Sequence, residues 1–540
     1  MSTKKNNYLT QGLILAVAGL VTRFIGLIYR IPLTNIVGSE GMGYYSTAYE
    51  VYNIALLIST YSIPVAISKM ISSSNAQGRF SDSKRIFKIG LAFSSGAGLI
   101  VSILLFVFSD PIATWMGYPS ASLPLKVLSP TIFVFSCMGV IRGFFQGHKN
   151  MVPTAVSQVV EQIVNAVVSV ACAILFIDAV SDFSKASLGA AGGTAGTLAG
   201  AVAGLLFLVL FFVIGNKKDR SDPSDMVSEQ PATPYKTILK LLILTMIPIV
   251  LSQSIYQLSG LTDDFMFGRI LGHKGIDETE RAILFEAYSN KYKWLYNLPV
   301  AIASAFGVSI VPVLSGAFEV NDLVSVREKI TGTVKINMLI AIPAAAGLAF
   351  FSEPIMTLFF KDEGKIAAEL LIWGSFAVVF FAYSTLTNGV LQGINKLKKP
   401  VIHSALSLLI HIPVLALMLF LTDLNEFALM ICNILYALVV CFLNSRSLKK
   451  EIMYKQEFKR TFFIPLISSC IMGVFGRVLY LILCSIGVNR SIGTVISIVL
   501  CVPVYFIILV LMKGVNRMEL EKLPMGNKIC RIFTRFKLLK

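Results

Sequence analysis

Charge is what this chain most lacks. Only 14% of its residues are Asp, Glu, Lys or Arg, where a soluble domain carries about 25%. Tryptophan (three) and histidine (four) are scarce as well. No GxxxxGK[ST] stretch occurs, which excludes an ATPase of the phosphate-loop type. No HExxH occurs, and His148, His273, His403 and His411 show no ligand spacing on a shared face; His403 and His411 read as packing histidines. The eight cysteines form no CxxC pair and lie mostly in apolar runs. They read as small core residues, not as a disulfide framework or a metal site. A membrane glycosyltransferase needs an acidic cluster on a large hydrophilic loop, and the longest loop here is about twenty residues. Neither an enzyme nor a bound cofactor is expected.

What fills the space is apolar. The chain is 55% hydrophobic, with a mean hydropathy of +0.74. Apolar runs long enough to cross a bilayer as helices recur from end to end. The N-terminus MSTKKNNYLTQG leads straight into the first of them without a small-residue cleavage site, so no cleaved signal is expected. The pattern predicts an all-α integral membrane protein with about fourteen transmembrane helices. They fall roughly at 10–37, 45–74, 86–109, 123–145, 152–178, 189–215, 238–270, 284–316, 330–352, 366–392, 400–421, 426–446, 461–486 and 491–512. The net charge of +17 could suggest nucleic acid, but its distribution argues otherwise. Alternate connecting segments hold 31 and six Lys+Arg. That asymmetry follows the positive-inside rule and predicts both termini in the cytoplasm. The excess then serves topology and contact with anionic membrane lipids.

A repeat runs through the chain. FSDPI at 108–112 returns as FSEPI at 351–355, Tyr52-Asn53 as Tyr296-Asn297, and RGFFQG at 142–147 as NGVLQG at 388–393. A proline follows each QG, Pro153 and Pro400. Near-constant offset and conserved order predict two six-helix lobes related by a parallel repeat, with the substrate path between them. The lobes are expected at 1–215 and 238–446, joined by a polar cytoplasmic linker at 216–237. Two extra C-terminal helices fall in 447–513. The tail 514–540 is basic, and reads either as a helix lying on the membrane surface or as disorder.

The stretch LVTRFIGLIYRIPL (20–33) carries two arginines inside the first apolar run. An arginine at the centre of a membrane helix costs roughly 2.5–3.5 kcal/mol on insertion scales, so such residues are functional candidates. Lys69, Arg142, Lys335 and Arg269 lie near expected helix ends and are expected to snorkel to the headgroups. Arg23 is about thirteen residues into its helix, roughly 20 Å deep. Arg30 is two turns further on the same face. Pro32 is expected to bend or end the helix. The pair must face protein or water. One explanation is an ion pair between helices, with Glu50 as the partner. The other is a cationic wall for an anionic substrate. Glu161, with Gln162 and Asn165, lies near mid-depth of helix 5. Lys291 and Lys293 lie early in helix 8. Arginine's planar fork suits phosphate oxygens, and this cation set matches a pyrophosphate. Asp263 and Asp264, late in helix 7, are candidates for cation coupling or for capping that helix.

The segment RGFFQGHKNMVPTAVSQVVEQIVN (142–165) resembles the helix 4–5 hairpin of the MurJ-type lipid II flippases of Gram-positive bacteria and their SpoVB relatives. TRFIGLIYRIPL (22–33) resembles that family's arginine-bearing first helix. The whole pattern resembles the superfamily of multidrug, oligosaccharidyl-lipid and polysaccharide exporters. The resemblance implies a transporter of the cell membrane that serves peptidoglycan biosynthesis. Its substrate would be undecaprenyl-pyrophosphate carrying the disaccharide-pentapeptide. It implies alternating access, a central headgroup cavity, and a lipid-tail groove made with helices 13 and 14. The family's helix 1 arginines match Arg23 and Arg30. Its helix 8 cation falls near Lys293, with Trp294 in strict register, and a helix 2 arginine of some members falls near Leu56. Some members bind Na+ through an Asp on helix 7, which Asp263 or Asp264 matches, and through an Asn/Asp pair on helix 11. Helix 11 here offers Ser404, Ser407 and His411 instead, which leaves membrane potential as the other driving force. A monomer is expected, associated with cell-wall synthesis proteins. Three other functions stay open: export of another polyprenyl-linked oligosaccharide, drug/cation antiport, and a non-transporting scaffold for cell-wall synthesis.

Overall fold

The computed structural model describes residues 2–178, 184–218, 233–360 and 365–515. Among these the regular elements are all helical. Ten helices are long and apolar enough to cross a membrane, or eleven if the bent pair Lys365–Gly374 and Ala377–Gly393 is one span. Most of the linker and nearly all of the tail lie outside the described residues. By packing, the chain divides into two units, Met1–Glu286 and Ala287–Lys540.

The first unit holds nine helices: α1 (Ser2–Leu56), α2 (Ile63–Ala76), α3 (Phe80–Val107), α4 (Ser109–Met116), α5 (Ser122–Gly147), α6 (Val152–Ile177), α7 (Lys185–Lys218), α8 (Tyr235–His273) and α9 (Glu278–Glu286). The break in α1 is not at Pro32. The helix continues through it and kinks at Gly38, whose φ of 77° is a conformation open to glycine at little steric cost. A five-residue π turn, Leu57–Tyr61, joins α1 to α2.

Helix α8 packs with the first unit although it follows the linker. Thr233, just before it, donates from its backbone N–H to Asp82 at 2.9 Å, and Arg85 donates to the Thr233 carbonyl. Leu242 and Met246 of α8 complete a core with Ile63, Ile67 and Val140. The packing boundary is therefore Glu286, beyond the linker at 216–237. A second core gathers Leu33, Met42, Tyr44 and Tyr45 against Met116 and Tyr118.

The tightest helix pair is α6 with α7. Gly192, Gly196, Gly200 and Gly204 recur every fourth residue and form one stripe along α7. A Cβ added at Gly200 would lie 2.5 Å from the Glu161 carbonyl oxygen. Only glycine lets the two backbones approach this closely, the small-residue packing typical of membrane helices.

The second unit opens with a π turn, Ala287–Tyr292, and holds α10 (Lys293–Glu319), α11 (Leu323–Phe350), α12 (Ser352–Phe359), α13 (Lys365–Gly374), α14 (Ala377–Gly393), α15 (Lys398–Leu421), α16 (Glu426–Ile452), α17 (Ile464–Ser485) and α18 (Arg490–Leu511). The sequence repeat returns here as local structure. FSDPI and FSEPI each mark a helical break at a phenylalanine, Phe108 (φ −94°) and Phe351 (φ −107°). In both cases a 28-residue helix precedes the break and an eight-residue helix follows it. RGFFQG and NGVLQG each end a helix, and the chain then turns through a left-handed residue, Lys149 (φ 61°) or Asn395 (φ 59°). The short helices α4 and α12 were not among the fourteen expected segments. Helices α17 and α18 pack on each other and on α11 and α12.

Candidate functional site

Helix α1 separates its charges from its greasy face. Val17, Leu20, Val21, Phe24 and Ile28 are exposed and form one apolar stripe. Arg23 and Arg30 are seven residues apart, hence within about 20° of each other, and lie about 120° around the helix from that stripe. On the same side Gly26 looks toward Gln162 of α6, whose Oε1 would lie 3.8 Å from an added Cβ. The arginines thus avoid the face suited to lipid.

Arg30 is half-buried and Arg23 is exposed. Neither has a carboxylate within 4.0 Å among the described residues. Arg30 is set among phenols instead. Its Cζ stands 5.8 Å from the Tyr45 ring centroid, and Tyr29 and Tyr49 are its other electrostatic neighbours. The tyrosines lead onward: Tyr49 bonds Thr197 of α7, and Tyr29 accepts from Asn165 of α6 at 3.4 Å. Asn165 accepts in turn from Ser169 at 2.9 Å. A desolvated cation–π contact is worth about 2 kcal/mol, less than the roughly 2.5–3.5 kcal/mol cost of a mid-membrane arginine. Neutral phenols hold the guanidinium without cancelling its charge, so it can still attract an anion.

The structure distributes the other candidates. Glu161 sits in an ion pair with Arg142 at 2.8 Å, and Arg142 also donates to Ser157 at 3.0 Å. Arg142 is therefore not a snorkelling residue: it is buried and pinned to α6, because a carboxylate is nearer than the headgroups. Glu50 turns to α8, where its Oε2 would lie 2.6 Å from a Cβ on Gly260. Asp263 and Asp264 are both buried, and Asp264 accepts from Thr47 at 3.2 Å. They do not cap their helix, which runs on to His273. A carboxylate at that end would also oppose the helix dipole.

Lys291 and Lys293 belong to the second unit. Lys291 is buried with its Nζ 5.6 Å from the Phe360 ring, and Lys293 stands 5.8 Å from the Tyr288 ring. Lys335 is buried rather than snorkelling, in the interior of α11. Lys69 and Arg269 are exposed. On α15, His403 bonds Asn444 at 2.7 Å, Ser407 bonds the Tyr436 carbonyl at 2.8 Å and His411 bonds the Cys432 carbonyl at 3.0 Å. These polar groups tie α15 to α16 and act as packing residues.

Sequence reasoning missed the tyrosines and Ser157. A signal was available: Tyr45, Tyr49 and Tyr52 recur at i, i+4 and i+7, one helical face, beginning about four turns beyond Arg30.

The polysaccharide biosynthesis protein family matches residues 9–318, more than half of the chain. The chain belongs to that family. The MatE family matches residues 293–417. The lipid II flippase MurJ of Bacillus subtilis (strain 168) is 28% identical over 426 residues, 75% of this chain and 77% of that protein. Stage V sporulation protein B of the same organism is 23% identical, over 97% of this chain and 99% of its own length. A solved structure of the lipid II flippase MurJ, in an inward closed conformation, shares the fold with a TM-score of 0.66 at 18% identity, covering 92% of this chain and 98% of that one. The MurJ and SpoVB resemblance of residues 22–33 and 142–165 thus extends over the chain. Family and apolar helices together make this a multi-pass membrane transporter of the bacterial plasma membrane.

Proposed function

We propose that this protein is a flippase that moves lipid II, the undecaprenyl-pyrophosphate-linked peptidoglycan precursor, from the inner to the outer leaflet by alternating access. The observation that carries the proposal is the arginine pair of α1. It stands clear of the lipid-suited face and has no carboxylate partner among the described residues, and Arg30 is set among phenols that leave its charge available. Arg23 and Arg30 take the pyrophosphate. Lys291, Lys293 and Glu50 are the other headgroup candidates, Glu161 being held by Arg142, and α17 with α18 form the groove for the polyprenyl tail. Membrane potential acting on the cationic face drives transport, at about 2.3 kcal/mol per charge per 100 mV. Asp263 and Asp264 remain the residues for cation coupling. The similarity to stage V sporulation protein B over nearly the whole chain favours a second substrate, a sporulation-specific precursor on the same pyrophosphate anchor.

We also infer fourteen crossings with both termini inside. The segment Val17–Ala76 has 60 residues. As one straight helix it would be about 90 Å long, three hydrocarbon thicknesses, so the break at Gly38 makes it two crossings. The bent pair α13 and α14 adds one. Helices α8 and α10, with 39 and 27 residues, complete the fourteen.

The test is rescue of cells depleted of their own lipid II flippase, with wild type, Arg23→Ala, Arg30→Ala and Arg30→Lys, each checked for expression. Wild type should rescue, the alanine variants should fail, and lysine should rescue partly because it keeps charge but loses the fork. Equal rescue by every variant would refute the anion site. Failure of well-expressed wild type would move the substrate to another polyprenyl-linked glycan.

A further inference from the structure

The second unit holds an apolar cavity of its own. It has a volume of about 840 Å³ and is lined by α14, α16 and the segment that leads into α17. That volume is in the range of small-molecule sites. Its walls are greasy: Phe380, Leu438, Phe442 and Phe462 all line it. Its rim is basic, made by Arg446, Lys449 and Lys455. The acids nearby are already engaged. Glu451 pairs with Lys396 at 2.7 Å and Glu457 with Arg460 at 4.0 Å. Arg446, Lys449 and Lys455 have no ion pair among the described residues. Burial pushes the Tyr454 phenol up to about 12, so it adds no negative charge to the rim.

We infer that this cavity is a binding site for an anionic phospholipid, with an acyl chain among the phenylalanines and the phosphate held by Arg446, Lys449 and Lys455. Three features favour this occupant. The cavity opens beside the last turns of α16, where residues 446–460 carry six Lys and Arg. Basic pockets between membrane helices on the cytoplasmic side recruit anionic headgroups. The long apolar wall excludes a small free anion as the ligand, because such an anion gains nothing from it. Phe458, which lines the cavity and is 69% exposed, is suited to the acyl side of the headgroup layer. The site does not depend on the transported substrate.

The test uses the full chain in detergent, titrated with dioleoylphosphatidylglycerol or dioleoylphosphatidylcholine and read by native mass spectrometry. Wild type should retain one phosphatidylglycerol under conditions that strip phosphatidylcholine. Each rim cation is worth roughly fivefold in affinity, so Arg446→Gln/Lys449→Gln/Lys455→Gln should weaken phosphatidylglycerol on the order of a hundredfold. Lys88→Gln/Lys236→Gln/Lys240→Gln removes the same charge from exposed residues elsewhere and should leave binding unchanged. Leu438→Trp narrows the cavity with the rim intact and should weaken retention, which keeps the proposal testable if the triple variant folds poorly. Undiminished binding by Leu438→Trp, or equal loss in the two triple variants, overturns the site. Displacement of the bound lipid by equimolar undecaprenyl-pyrophosphate would overturn the phospholipid assignment and give the cavity to the substrate's tail.

Discussion

At the scale of single residues, charge in a low-dielectric interior is decided by its nearest partner. Arg142 and Arg30 are both membrane arginines, yet Arg142 has Glu161 at 2.8 Å and Arg30 has phenols. The pair Arg142–Glu161 is nearly dry, with side chains 11% and 13% exposed. Removing one partner of such a pair strands the other and costs about 3–5 kcal/mol, whereas removing both costs much less. Arg142→Gln or Glu161→Gln alone should therefore lower the thermal stability of the purified protein well below that of the double variant. If Glu161 instead served the substrate, Glu161→Gln would leave stability unchanged and lower only transport. The same contrast explains what sequence left unresolved. Depth along a helix marked Arg30 as costly and placed Arg142 near a helix end, but partner identity depends on which helices meet, and linear spacing does not carry that.

At the scale of elements, α6 and α7 show how a sequence stripe becomes contact. Gly192, Gly196, Gly200 and Gly204 permit backbone approach along three turns, and that approach brings Thr197 and Asn165 into one polar chain with Tyr49 and Tyr29. Gly200→Val would drive Cβ into the Glu161 carbonyl 2.5 Å away. Overpacking of this kind costs about 1–3 kcal/mol, so the variant should melt earlier and disturb the Arg142–Glu161 pair with it. Gly96 of α3 is the matched control, since an added Cβ meets nothing within 4 Å. Gly96→Ala should be neutral or stabilising by up to about 1 kcal/mol, because alanine is the better helix former. A lower melting temperature for Gly96→Ala than for Gly200→Val would reverse this argument. Helix positions were legible because apolar runs of membrane length are unambiguous. The kink was not: Pro32 is the expected breaker, yet a proline tolerated by a long membrane helix lost to Gly38, whose positive φ ends the regular run.

At the scale of the whole molecule, the repeat and the charge asymmetry make one topological claim. The echoes FSDPI/FSEPI and RGFFQG/NGVLQG recur as the same local structures, so the repeat itself was readable from sequence. Assignment of α8 by packing was not readable, since Thr233 and Asp82 are 151 positions apart in sequence. The sign of each loop follows from counting crossings: 31 Lys and Arg fall inside and six outside only if the count is even and Val17–Ala76 crosses twice. Fusions of alkaline phosphatase and of green fluorescent protein test this, because the first is active only outside the membrane and the second fluoresces only inside. Fusion after Lys274 or Val488 should give phosphatase activity. Fusion after Lys149, Lys396 or Lys513 should give fluorescence and no phosphatase. A single crossing for Val17–Ala76 would invert every site after it, so phosphatase activity at Lys149 would break the fourteen-helix topology and, with it, the inner-leaflet placement of the cationic rim at Arg446, Lys449 and Lys455.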